Sequence, residues 1–190
     1  RVRKMITVKI NGEERQYPQG ATYEDVTNDY QQEYENLIAL AARDGKIREL
    51  FKKLTRDCEV TFFTLKDDVG NKTYVRSATM LFLKAVFDVY GREAAQSCRV
   101  EFAIGNGSYI SPKGKINATE ENAAKIRNRM LELVEAKTPF LKRSYSLDNA
   151  MELFRKEGMK DKEKLFRYRR GSFVNIYEMD GYYDYYYGYM

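Results

Sequence analysis

Residues 74–90 read YVRSATMLFLKAVFDVY, the longest apolar-periodic run in the chain. Tyr74, Val75, Ala78, Leu81, Phe82, Ala85, Val86, Val89 and Tyr90 recur at three- and four-residue spacing, the signature of one helix face. Asn71 or Thr73 can cap its start, and Gly91 stands just past its end. This helix divides the sequence into a smaller part before it and a larger part after it. One helical turn separates Arg76 from Met80 within its first turns.

Before the helix the pattern is mostly extended. Met5–Ile10 alternates as a strand, Asn11-Gly12 is a two-residue hairpin signal, and Glu13–Tyr17 pairs back. Pro18 and Gly20 end the hairpin. Thr22 can cap a helix over Tyr23–Gln32, with Asp25 in its acidic first turn. Leu37–Ala42 reads as a buried strand, Asp44-Gly45 as a tight turn, and Val60–Leu65 as a closing strand. The window Lys46–Leu54 fits a strand followed by a turn, and a short helix also fits its period. The order matches the β-grasp pattern, a mixed sheet curled over one helix. Lys66–Lys72, charged and glycine-containing, reads as the connector, which places one domain at residues 1–66 and a second at 67–190.

After the helix, Arg99–Ile104 and Ser108–Ser111 flank Gly105-Asn106-Gly107 as a hairpin. These glycines match neither GxGxxG nor GxxxxGK[ST], so a phosphate-cradling loop is not indicated. Thr119 caps an amphipathic helix to Ala136 with Ala123, Ile126, Met130, Leu133 and Val134 facing a core. Phe140–Tyr145 reads as a strand. Ser146 caps a further helix burying Ala150, Met151, Leu153 and Phe154, and Gly158 stops it. Ser172–Met179 alternates again. The fold class expected is therefore α+β. The chain closes on YYDYYYGYM, residues 182–190, with six tyrosines in nine positions. So dense an aromatic run is expected to be partly buried, and the segment is expected to belong to a longer protein.

Composition narrows the chemistry. The 190 residues contain no histidine and two cysteines, Cys58 and Cys98. Without histidine there is no side chain of unperturbed pKa near neutrality, no Ser-His-Asp or Cys-His arrangement and no histidine zinc site. The isolated cysteines read as reduced thiols of a cytoplasmic protein. No apolar run reaches the roughly 18 residues of a membrane span. The first residues, RVRKM, lack an apolar segment behind them, so no secretory signal is expected. The formal charge is +5. Residues 1–66 hold 12 basic and 11 acidic side chains, whereas residues 155–170, RKEGMKDKEKLFRYRR, hold 8 and 3. Two readings of that stretch stand open. It is a solvated helix face, or a phosphate or RNA patch built on Lys164, Arg167, Arg169 and Arg170, with Phe166 and Tyr168 for stacking.

The segments ITVKINGEERQYPQGAT, the Asp44-Gly45-Lys46 turn and the closing EVTFFTL resemble a TGS domain, the β-grasp module at the start of threonyl-tRNA synthetases and in several GTPases. The second part is similar to the domain that follows in threonyl-tRNA synthetase and edits mischarged tRNA. In that family the opening helix carries His-x-x-x-His, and a D-x-C-R-G-P-H type motif supplies a cysteine and a histidine. Here the helix reads Arg76-Ser77-Ala78-Thr79-Met80, and the later motif aligns with Asp184-Tyr185-Tyr186-Tyr187-Gly188-Tyr189-Met190. Asp184 and Gly188 are kept, while Arg76, Met80, Tyr186 and Met190 stand at the four ligand positions. The resemblance implies a retained fold without hydrolysis, no catalytic residue and no metal. It also implies a degenerate cleft at Arg76, Met80, Asp184, Tyr186 and Met190, where two readings stand open: an arginine beside aromatic rings suits a nucleotide, or the tyrosines pack the cleft and it holds no ligand.

A double domain with this tyrosine-rich tail also resembles the N-terminal region of bacterial uridine kinase-like nucleoside kinases. That likeness implies an accessory, regulatory or ligand-binding role and a downstream P-loop kinase domain as partner, with ATP and magnesium belonging only to that domain. The alternative is an RNA-binding module or the N-terminal fragment of a threonyl-tRNA synthetase-like protein. No membrane partner is expected.

Overall fold

The Asn11-Gly12 turn folds the first strand back, and the first sheet grows from that hairpin. Both residues take positive φ, 52° and 87°, the geometry of a two-residue hairpin turn. The computed structural model describes residues 4–105 and 107–190. Asn106, the middle of the hairpin turn expected at Gly105–Gly107, lies outside the described residues. The described chain divides into two compact units, residues 1–77 with 188–190, and residues 78–187.

In the first unit, β1 (Met5–Ile10), β2 (Glu13–Pro18), β3 (Ile38–Arg43), β4 (Lys46–Arg48) and β5 (Cys58–Thr64) form one sheet in the order β2-β1-β5-β3-β4. β1 and β5 run parallel, and the other neighbours are antiparallel. Alternation works as read: Ile6, Val8 and Ile10 are buried while the residues between them are not. Against this face packs α1 (Tyr23–Tyr30), contributing Tyr23, Val26 and Tyr30 to the same core as Ala41, Leu54 and Val60. Its start is a capping box. The Thr22 hydroxyl accepts from Asp25 N–H at 3.1 Å, and the Asp25 carboxylate accepts from Thr22 N–H at 2.7 Å. The helix stops at Tyr30, and Gln31–Glu33 tightens into a 3-10 turn. The window after Asp44-Gly45 is a short strand followed by turns, not a helix.

The connector expected at Lys66–Lys72 is largely helical, because α2 spans Asp68–Tyr90. Gly70 is the reason it can begin so early. A Cβ there would lie 2.1 Å from the Thr64 carbonyl oxygen, so the missing side chain lets the first turn lie against the end of β5. Asp67 ties the junction by accepting from Thr64 N–H at 2.7 Å and from its hydroxyl at 3.1 Å. The division of the chain falls within this helix, whose residues 68–77 belong to the first unit and 78–90 to the second.

The second unit buries α2 along Met80, Leu83, Lys84, Ala85 and Val86. Of the face expected from periodicity, Ala85 and Val86 are buried, whereas Val89 is exposed. In the first unit's share of the helix, Tyr74 and Val75 are also exposed. Gly91 does end α2, and it then caps a further short helix that periodicity missed, α3 (Arg92–Ser97). β6 (Arg99–Ile104) and β7 (Gly107–Ser111) form a separate two-stranded ribbon. On α4 (Glu120–Glu135) only Ile126 and Leu133 are buried, and Val134 is exposed. Those two residues lie on the centre of the stripe, about 20° apart at 100° per residue, while Ala123 and Val134 sit at its margins. β8 (Leu141–Ser146), β9 (Phe173–Met179) and β10 (Tyr182–Asp184) make an antiparallel sheet in the order β10-β9-β8. Its core joins Val174 and Ile176 to Ala150 and Phe154 of α5 (Leu147–Lys156) and Phe166 of α6 (Lys160–Arg167). Ser146 caps α5 as expected. The architecture is α+β in both units.

Candidate functional site

The second unit contains a polar cleft of about 790 Å³. Thr79 and Leu83 of α2, Cys98 and Arg99 at the start of β6, Lys160, Asp161 and Lys162 of α6, and Tyr182, Asp184 and Tyr186 of the tail line it. The tail reaches this position because β10 pairs with β9, which turns Asp184 into the protein. Asp184 is 3% exposed, and its carboxylate is well supplied with donors. Oδ1 accepts from Lys162 Nζ at 2.7 Å and from Tyr185 N–H at 2.7 Å, and Oδ2 accepts from the Tyr182 hydroxyl at 3.3 Å. A buried carboxylate so paired is the condition under which its desolvation is offset.

The neighbouring phenols stay neutral. Burial, and then the charge of Asp184, pushes Tyr182 well above the ordinary tyrosine range. The same two causes act on Tyr186, whose hydroxyl is buried with no hydrogen bond of ordinary geometry. Burial also pushes the Cys98 thiol up. Each of these shifts moves a group away from neutrality, and general acid–base work needs the opposite. Among the described groups whose titration is shifted here, none is a base or thiolate poised near neutrality.

The five residues of the degenerate cleft do not fall in one unit. Met80, Asp184 and Tyr186 belong to the second, and Arg76 and Met190 to the first. Met80 is fully buried and packs as a core side chain. The Arg76 guanidinium donates to the Tyr189 carbonyl at 3.0 Å. The Met190 N–H donates to Glu49 Oε1 at 3.2 Å. A guanidinium, two thioethers and a phenol do not fit a divalent metal site. Among the described residues no group of three or more His, Cys, Asp and Glu side chains could hold a metal ion. Cys58 and Cys98 are both free thiols.

The basic stretch is partly consumed by pairing. Arg155 and Arg167 both engage Glu163, at 3.0 and 3.1 Å, and Lys156 meets Glu152 at 3.0 Å. Arg169 stacks over the Tyr185 ring, 5.3 Å from its centroid, and donates to that hydroxyl. Lys160, Lys164 and Arg170 form no ion pair among the described residues, and Tyr168 beside them is 88% exposed. Of the four residues of the RNA reading, Arg167 shares Glu163 and Arg169 lies over Tyr185, whereas Lys164 and Arg170 form no ion pair among the described residues. Sequence reasoning missed Lys162, which looked like one more solvated lysine. It also missed Lys84, although a lysine between Leu83 and Ala85 with Asp88 one turn on was a visible signal.

No family model matches the chain. Curated relatives that it matches include threonine–tRNA ligases. That of Thermotoga maritima is 27% identical over 186 residues, covering 90% of this chain and 28% of that protein. That of Carboxydothermus hydrogenoformans is 25% identical over 183 residues, with 90% and 28% covered. That of Syntrophotalea carbinolica is 31% identical over 153 residues, with 73% and 23% covered. The chain is thus similar to part of threonine–tRNA ligases, and it spans about a quarter of the length of the curated relatives it matches. These relatives support the synthetase half of the resemblance; none of them is a kinase, and nothing in the structure supports the nucleoside-kinase half. Among the described residues no helix is long and apolar enough to cross a membrane.

Proposed function

We propose that this chain is the N-terminal part of a cytoplasmic, threonyl-tRNA synthetase-like protein, and that it binds RNA without catalysing hydrolysis. In this reading the first unit is a TGS-type β-grasp and the second is related to the synthetase's editing domain. The observation that carries the proposal is the similarity to threonine–tRNA ligases along 90% of the chain. The sheet order β2-β1-β5-β3-β4 around a single helix supports the β-grasp assignment. The non-hydrolytic part rests on chemistry: no histidine in the sequence, and Arg76, Met80, Tyr186 and Met190 where the resemblance has ligands. Tyr168, Lys164 and Arg170 offer an exposed ring beside cations, the pairing that stacks a base and neutralises phosphate.

The test is anisotropy with labelled tRNA, alongside deacylation of a mischarged tRNA. Binding is expected at low salt, with log K falling by roughly 0.7–0.9 per phosphate contact as log salt rises. Deacylation is expected to stay at the uncatalysed rate. Absence of binding at low salt refutes the RNA role, and deacylation above background refutes the non-hydrolytic reading.

A further inference from the structure

The first unit includes a segment from the far end of the sequence, residues 188–190. Two buried or half-buried charged side chains grip its backbone. Arg76 Nη1 donates to the Tyr189 carbonyl at 3.0 Å, and Glu49 Oε1 accepts from the Met190 N–H at 3.2 Å. Glu49 is 2% exposed. Each jaw stands on a fixed element. Arg76 lies within α2, and Glu49 begins a segment pinned to the start of α1. There the Glu24 N–H donates to the Leu50 carbonyl at 2.8 Å and the Tyr23 N–H to the Lys52 carbonyl at 3.0 Å. The third feature is Gly188. Its φ is 136°, and a Cβ there would lie 2.5 Å from Arg76 Cζ and 2.8 Å from both terminal nitrogens. The guanidinium therefore lies directly against the glycine.

We infer that Arg76 and Glu49 form a two-point clamp on the backbone of residues 188–190, and that this strap closes the Arg76 guanidinium to outside ligands. The recognition is of main chain: one carbonyl, one N–H and a position without a side chain. An exchange of side chain at Tyr189 leaves both bonds available, whereas any side chain at Gly188 drives the guanidinium out. An anion that takes the Nη1 donor of Arg76 must displace the Tyr189 carbonyl, and Gly188 lies against the guanidinium, so the fork that would suit a phosphate is engaged within the chain. The clamp is a strap in its closed state, and Arg76 is a positioning residue in it.

The experiment measures amide exchange at Met190 in the 190-residue chain by NMR, for the wild type and the Arg76→Ala, Arg76→Lys and Gly188→Ala variants. A charge-assisted bond is worth a factor of about ten to a hundred in an opening equilibrium. Arg76→Ala and Gly188→Ala are expected to speed Met190 exchange by about that factor, with Arg76→Lys between them and the wild type. In an Arg76→Ala background, Gly188→Ala is expected to add less than it does in the wild type, because the collision is gone and only the strain of a side chain at φ 136° remains. Gly188→Ala meets the tip of a flexible side chain and a φ that a side chain strains, both at the strap itself, so it carries the readout even where Arg76→Ala fails to fold. Unchanged Met190 protection in folded Arg76→Ala or Gly188→Ala overturns the clamp. So does a shift of the Arg76 side-chain resonances on adding inorganic phosphate while Met190 stays protected.

Discussion

Replacing Asp88 with alanine strips the principal counter-ion from a lysine in the interior of the second unit. The Lys84 side chain is 3% exposed, and its Nζ lies 2.7 Å from Asp88 Oδ1, 2.7 Å from the Asp180 carbonyl and 3.2 Å from Asp180 Oδ2. At 2.7 Å and an effective dielectric of about 20, the Lys84–Asp88 attraction is about 6 kcal/mol. Desolvation opposes it with several kcal/mol for each buried ion. The net value of the pair is therefore small, while loss of one partner is not. Removing one member of a buried pair costs about 3–5 kcal/mol. Here the Asp180 carbonyl keeps one bond to Lys84, and the Asp180 carboxylate, 64% exposed, is screened by solvent. The expected loss for Asp88→Ala is therefore about 2–4 kcal/mol. Arg129 also loses Asp88, but it is 32% exposed and keeps Glu132 at 2.8 Å, which adds little. Lys84→Met removes the buried charge, keeps the packing and leaves Asp88 paired with Arg129 at 2.8 Å, so it is expected within about 1 kcal/mol of the wild type. Urea denaturation followed by circular dichroism reads both variants, with exchange of the α2 amides as a local check. If Lys84→Met is as costly as Asp88→Ala, the pair is strongly favourable on balance and the desolvation argument is wrong.

Three other perturbations follow from the same structure. Gly70→Ala places a Cβ 2.1 Å from the Thr64 carbonyl; both atoms are on backbone elements, so a loss of about 2–3 kcal/mol is expected in urea melts, against almost none for Ala at exposed Asn71. Lys162→Met leaves the Asp184 carboxylate with only the Tyr182 hydroxyl and Tyr185 N–H; a loss of about 2–3 kcal/mol is expected, and Asp184→Asn in the same background is expected to recover part of it. Tyr182 and Tyr186 hold their protons in the folded state above the unfolded value of 10.0, chiefly through burial. The unfolded chain therefore binds fewer protons once the pH passes that value. Stability contributed by these phenols is complete below pH 10.0 and declines as pH rises above it toward their folded values. Denaturant melts through the alkaline range, with phenolate absorbance recorded in parallel, check this. Full tyrosine ionisation while the protein remains folded would contradict the burial assigned to them.

Several parts of the fold were legible because their causes are local. Asn11-Gly12 and Asp44-Gly45 announce their turns by residue type, Thr22-x-x-Asp25 announces a capping box, and Ile6, Val8 and Ile10 announce a buried face. The α2 helix was legible too, but its start was not. Gly70 looks like a breaker in sequence, and only the proximity of the Thr64 carbonyl shows it to be a point of close approach. The candidate site was legible as a set of positions and not as a set of partners. Asp184 and Tyr186 line the cleft, Met80 is core, and Lys162 was hidden in a run of similar lysines. Which lysine of that run meets Asp184 depends on how α6 lies over the sheet, and periodicity carries no information about that.

What the sequence determined by itself is therefore chemistry and local conformation. A chain without histidine has no imidazole to act as base or ligand, whatever its fold, and turn, cap and alternation follow from residue types a few positions apart. What the tertiary structure decided is which charges are buried and against what. Arg76 and Tyr189 are 113 positions apart, Lys84 and Asp180 are 96 apart, and Glu49 and Met190 are 141 apart. No local pattern encodes such pairs. They exist because a charge removed from water must find a partner, and only the folded chain shows which partner is within reach.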